Sequence, residues 1–134
     1  METGGYKGRS RAIAKEELGA LLQQTFGLRP DQIITEYGMS ELSSQAYRRP
    51  EEESMTGQGL FQFPAWVRMQ IVSPETGQPV APGQTGLIRI FDLANVWSVM
   101  ALQTEDLGIQ HESGFELLGR SADVVPRGCS LMSA

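Results

Sequence analysis

Cysteine is nearly missing from this chain. Cys129 is the single one, so no disulfide can close within the chain and the composition suits a reducing compartment. A cytoplasmic location is the expectation. Positive charge is also short: 11 Lys and Arg stand against 16 Asp and Glu, a net charge of −5, so no diffuse positive field exists to hold a polyanion. Nucleic acid and anionic membrane are excluded as natural partners. No run approaches the roughly 20 apolar residues that span a bilayer, and "METGGYKGRSR" has no apolar stretch of signal-peptide length, so neither a span nor export by that route is expected. His111, the sole histidine, sits in a glycine-flanked turn and reads as exposed rather than catalytic.

What is present describes an ordinary folded domain. The chain has 134 residues, enough for one core, with 40% hydrophobic and 20% charged residues and 15 glycines to supply turns. Disorder does not fit that balance.

Residues 15 to 27, "KEELGALLQQTFG", set Leu18, Leu21, Leu22 and Phe26 at helical spacing, with Glu16 and Glu17 where the helix dipole favours anions and Gly27 placed to end the helix. An amphipathic helix covering a sheet is expected. After "LRPD", the β-branched "QIIT" reads as a buried strand that delivers the chain to Tyr37. "WVRMQIV" (66–72) and "GLIRIFDL" (86–93) alternate apolar and polar residues as strands do, joined by the turn formers of "SPETGQPVAPGQT". A second pair, "WSVMALQT" (97–104) and "FELLGR" (115–120), is joined across "EDLGIQHESG".

The expected architecture is mixed α/β. Residues 1–47 would form the edge of a doubly wound α/β layer, 48–59 a polar loop, and 60–126 a small antiparallel, barrel-like β subdomain. Residues 127–134 would begin a hinge.

Three stretches carry chemistry. In "TEYGMSELSS", a glycine after Tyr37 permits a sharp turn, and Ser40 could simply cap a short helix, "ELSSQAY". Alternatively the strand end presents an aromatic face, a hydroxyl and a carboxylate to one crevice, where ligands lodge in open α/β sheets. "QTEDLG" (103–108) supplies an acidic pair and "GRSADVV" (119–125) an arginine and an aspartate, each at a strand end. "ETGGYKG" near the start has two adjacent glycines that allow close backbone approach.

In that order these stretches resemble the adenylate-forming superfamily: "YGMSE" is similar to its aromatic-Gly-x-Ser/Thr-Glu motif, "TED" to its ribose-binding aspartate motif, and "GRSAD" to its Gly-Arg-x-x-Asp motif. "GGYKG", "QTEDLG" and "RGCSL" resemble most the LuxE-type acyl-protein synthetases, with phenylacetate-CoA ligases next. The resemblance implies ATP and Mg²⁺ as cofactors and a carboxylic acid, such as a fatty acid, as substrate. It implies that Tyr37 stacks on adenine and that Gly38 and Met39 shape the pocket. Ser40 would approach the α-phosphate and Glu41 would hold magnesium. Glu36 would lie near the adenine amino group, Gly4 and Gly5 would wall the adenine, and Asp106 and Arg120 would bind the ribose hydroxyls.

The superfamily's phosphate loop and its C-terminal domain with a catalytic lysine have no counterpart in the residues present. The chain is therefore expected to be an internal piece of the large N-terminal domain, inactive alone, and prone to self-association or to pairing with a companion polypeptide. Cys129 as an acyl acceptor and Lys7 as a phosphate contact are weaker candidates. The rival expectation is a non-catalytic protein-interaction module built on a small β-barrel.

Overall fold

A computed structural model describes residues 1–3, 13–48 and 59–121. Among these residues one helix, α1 (Lys15–Phe26), a short 3₁₀ turn (Pro30–Gln32) and eight strands follow one another: β1 (Glu2–Thr3), β2 (Thr35–Tyr37), β3 (Ala46–Arg48), β4 (Phe61–Gln62), β5 (Val67–Val72), β6 (Thr85–Asp92), β7 (Ala101–Gln110) and β8 (Phe115–Arg120). The strands form one sheet in the order β1-β2-β3-β4-β8-β7-β6-β5, antiparallel except where β1 meets β2. The fold is thus mixed α/β.

Helix α1 falls where its spacing predicts. Gly27 ends it in the left-handed conformation, φ 65°, and its N–H returns to the Gln23 carbonyl. The helix does not cover the sheet as expected. Among the described residues it packs substantially against no strand, and Leu21 and Phe26 remain exposed.

Three other expectations are corrected. The strand read at "QIIT" begins later, at Thr35, because Gln32 is used by the 3₁₀ turn, its side-chain oxygen accepting the Arg29 N–H at 2.8 Å. "ELSSQAY" forms no helix. The N–H groups of Ser43 and Ser44 are spent on the Asp92 carboxylate instead of on helical carbonyls, and the chain runs straight into β3. Finally, β7 starts at Ala101 rather than at Trp97 and runs through the acidic pair to Gln110, so Glu105 and Asp106 lie within a strand. Thr104 and Gly108 keep its inward parity across that pair.

Along β6 the buried positions are Gly86, Ile88, Ile90 and Asp92, an uninterrupted period of two. With Ile71, Phe61, Phe115, Ala46, Leu42 and Tyr37 these isoleucines make the core. Each isoleucine, leucine and phenylalanine among them stabilises the fold by roughly 1.5–3 kcal/mol relative to exposure. Phe115 stacks on Phe61 and on Phe63, both at 5.6 Å between ring centroids, and Tyr37 meets all three rings edge to face.

The sheet is strongly curled. Strand β2 stands four places from β7, a separation of about 19 Å in a flat sheet at the usual strand spacing. Yet the Tyr37 hydroxyl lies 2.9 Å from the Asp106 carboxylate. Only a sheet rolled toward a barrel brings these strands face to face. The β1–β4 and β8–β5 halves meet in a single register pair, Phe61 with Phe115.

Candidate functional site

Asp106 is the centre of the arrangement. The register of β7 on β8 sets it directly opposite Arg120, whose Nε lies 3.4 Å from Oδ1. Its other oxygen, Oδ2, accepts the Tyr37 hydroxyl. The Asp106 backbone N–H donates to Thr104 Oγ1 at 3.1 Å, and that hydroxyl in turn donates to the Ile88 carbonyl at 2.9 Å. Two oxygens offer about four acceptor positions, and among the described residues Tyr37 and Arg120 face one oxygen each. Asp106 is 15% exposed and Arg120 52%, which leaves an approach from solvent.

Tyr37 is placed differently from an open stacking platform. Only 7% of the residue is exposed, and its ring is part of the core. Burial, and after it the charge of Asp106, raises the phenol pKa well above its ordinary value, so it stays neutral and donates. Glu36, on the intervening parity of β2, is half-buried.

Gly38 and Met39 lead from β2 into a turn at Ser40 and Glu41. Both turn residues are exposed, and Ser40 Oγ donates to Glu41 Oε2 at 3.2 Å. Leu42, buried, pins the next position. The structure therefore brings together Tyr37, Asp106 and Arg120 as one group and Ser40 and Glu41 as another. Gly4, Gly5, Lys7 and Cys129 lie outside the described residues.

Sequence reasoning missed Asp92, Asn95 and Trp66. Asp92 is wholly buried, and its carboxylate accepts the N–H groups of Ser43, Ser44 and Ala94 and the Ser44 hydroxyl. Asn95 donates to the Glu41 and Val99 carbonyls and accepts from Ser43 Oγ. The signal for Asp92 was its parity: it follows Ile88 and Ile90 on the inward face of β6. The Trp66 indole N–H donates to Ser44 Oγ at 2.9 Å. Beside this turn opens a groove of about 540 Å³ walled by Tyr47, Phe63 and Trp66, with Ser43, Gln45 and Gln62 as polar lining. His111, expected to be exposed, is half-buried with Nε2 3.6 Å from Glu116 Oε2.

Among the described residues no three His, Cys, Asp or Glu side chains gather as a metal cluster, and no helix is long and apolar enough to cross a membrane.

The curled sheet is similar in fold to solved adenylate-forming enzymes. The chain aligns with the structure of ATP-bound MatB from Rhodopseudomonas palustris at a TM-score of 0.56 and 22% identity, over 80% of this chain and 24% of that one. It aligns equally with the adenylation domain of a keto acid-selecting NRPS module bound to keto acyl adenylate, at a TM-score of 0.56 and 21% identity, over 88% of this chain and 29% of that one. Residues 1–133 match the family acyl-protein synthetase, LuxE, and the chain belongs to that family. The long-chain-fatty-acid–luciferin-component ligase of Vibrio harveyi is 29% identical over 96% of this chain. The chain spans about a third of that relative's length, 34%.

Proposed function

We propose that this chain supplies the ribose- and phosphate-facing wall of an ATP-dependent acyl-adenylating enzyme. The observation that carries the reading is Asp106, held by Tyr37 on one oxygen and beside Arg120 on the other. Two adjacent hydroxyls of a ribose suit a carboxylate that accepts from both, and the half-exposed guanidinium can donate to the same sugar. Tyr37 in this reading orients Asp106 and, at 7% exposure, offers adenine little stacking surface.

The reaction joins a carboxylate oxygen of the acid to the α-phosphorus of ATP and breaks the bond from that phosphorus to pyrophosphate. Acyl-AMP and pyrophosphate result. A thiol then takes the acyl group and AMP departs. In this reading Ser40 donates to the α-phosphate, and the aromatic groove beside it takes the acyl portion, a fatty acid by analogy with the Vibrio relative.

The residues present fit magnesium. This ion is ordinarily held by one or two carboxylates plus substrate phosphates, and Glu41 is a single exposed carboxylate beside the phosphate-facing hydroxyl. Bound there, magnesium would offset charge on the departing pyrophosphate. In the same reading the enzyme is cytoplasmic, and the remaining parts of the catalytic unit come from further polypeptide, whether in the same chain or a companion.

Calorimetry of the full chain with a nonhydrolysable acyl-adenylate analogue tests the proposal. Asp106→Asn should weaken binding about 10- to 100-fold, the worth of charge-assisted hydrogen bonds. An unchanged affinity would remove Asp106 from the site. A second reading, a protein-interaction module, draws on Leu93, Val96, Trp97, Val99 and Met100, all exposed between β6 and β7, with Trp97 at 98%. It gains if the unsubstituted chain binds no adenylate but still self-associates or captures a polypeptide through that segment.

A further inference from the structure

The turn that carries Ser40 and Glu41 is closed on itself by one backbone hydrogen bond, from the Leu42 N–H to the Met39 carbonyl at 3.1 Å. Both residues are exposed, and their only mutual tie is the Ser40–Glu41 hydrogen bond. What fixes the turn further arrives from the far end of β6. Asp92 Oδ2 receives the Ser43 and Ser44 N–H groups at 3.0 and 2.9 Å, and Oδ1 receives the Ser44 hydroxyl at 2.9 Å. Asn95 Nδ2 donates to the Glu41 carbonyl at 2.8 Å and to the Val99 carbonyl at 2.9 Å, while Oδ1 accepts Ser43 Oγ at 3.0 Å. Every polar group of the Asn95 amide is used, and both residues are buried.

Among the described residues this buried carboxylate meets four donors and no cation, an unusual expense for a core. The isoleucines that precede it on the same face show that an apolar residue fits there. The donors it gathers all belong to the turn or to its own strand end. We propose that Asp92 and Asn95 are positioning residues for the Ser40–Glu41 turn: by clamping the Glu41 carbonyl and the Ser43 and Ser44 amides, they set the direction in which Glu41 presents its carboxylate. This inference rests on the reading of Glu41 as the magnesium-facing residue. Neither Asp92 nor Asn95 touches ligand; each acts through Glu41.

The test compares the affinity of the full chain for a nonhydrolysable ATP analogue in magnesium and in EDTA, measured by calorimetry. The ratio of the two affinities reports magnesium-dependent binding. Asn95→Ala leaves the Asp92 contacts in place and should lower that ratio about tenfold while changing the EDTA affinity less than about threefold, since two hydrogen bonds to the turn, at the Glu41 carbonyl and the Ser43 hydroxyl, are lost. A general structural weakening would lower both affinities alike and would overturn the proposal, as would an unchanged ratio. In Glu41→Gln the ratio should already be low, and adding Asn95→Ala should lower it little further, because the two act as one unit. Independent, multiplying effects would overturn the coupling. If Glu41→Gln alone leaves the ratio intact, the functional reading of Glu41 fails first and takes this inference with it. Should Asn95→Ala not fold, Ser43→Ala removes only the hydroxyl that meets Asn95; a ratio lowered about threefold supports the clamp, and an unchanged one overturns it.

Discussion

Tyr37 joins the core to the candidate site through one oxygen atom. Because burial and Asp106 raise its folded pKa above the unfolded value of about 10, its contribution to stability is whole below that pH and declines as pH rises past it. The decline is at most about 1.4 kcal/mol per pH unit for one group. Tyr37→Phe removes the ionisation, so its loss of stability above pH about 10 should be shallower by that slope. At pH 7 it should be less stable by roughly 1–3 kcal/mol, with Asp106 left short of a donor. Urea unfolding at both pH values measures this; equal alkaline slopes in the two proteins would show a phenol that ionises like a free one. Tyr37, Asp106 and Arg120 were legible in the sequence as motif residues. The burial of the tyrosine ring was not, because three phenylalanines from β4 and β8 and the residue after β4 create it. The inward parity of Asp92 was legible, but its role was not, because its main partners are backbone N–H groups 48 and 49 residues away, which no residue type announces.

At the level of elements, the β7–β8 hairpin decides whether Asp106 faces Arg120. The register shifts between Leu107 and Gly108, where the partner jumps from Gly119 to Leu117, leaving Leu118 unpaired. Gly119 absorbs that bulge with φ 114°, a conformation that side chains disfavour. Gly119→Ala should therefore cost about 1–3 kcal/mol of stability and drive the strand to slip, parting Arg120 from Asp106. Thermal melting gives the first effect and weakened adenylate-analogue binding the second. A variant as stable and as tightly binding as the parent would show that the bulge does not aim the pair. Strands β5 and β6 were readable from alternation, and β8 from its place as a short run between glycine turns. The start of β7 was misread because "WSVM" has strand-like composition, while Asn95 and Asp92 tie the chain into turns up to Ser98.

Across the whole molecule, the closure of the curled sheet has a consequence in time. The Tyr37–Asp106 contact joins residues 69 apart in the chain, whereas the β5–β6 and β7–β8 hairpins close over much shorter separations. Closing a long loop is entropically costly before its contacts repay it, so the hairpins have the head start. The halves of the sheet share one register pair to guide them, so the clasp should be among the last native contacts to form. Stopped-flow kinetics should then find that Tyr37→Phe leaves the refolding rate nearly unchanged and speeds unfolding by about the full loss of stability. Equal and opposite changes in the two rates would mean that the distant strands have already met at the barrier. If the clasp closes late it also opens early, and the residues that we assign to the ribose take their places only in the last moments before the native state.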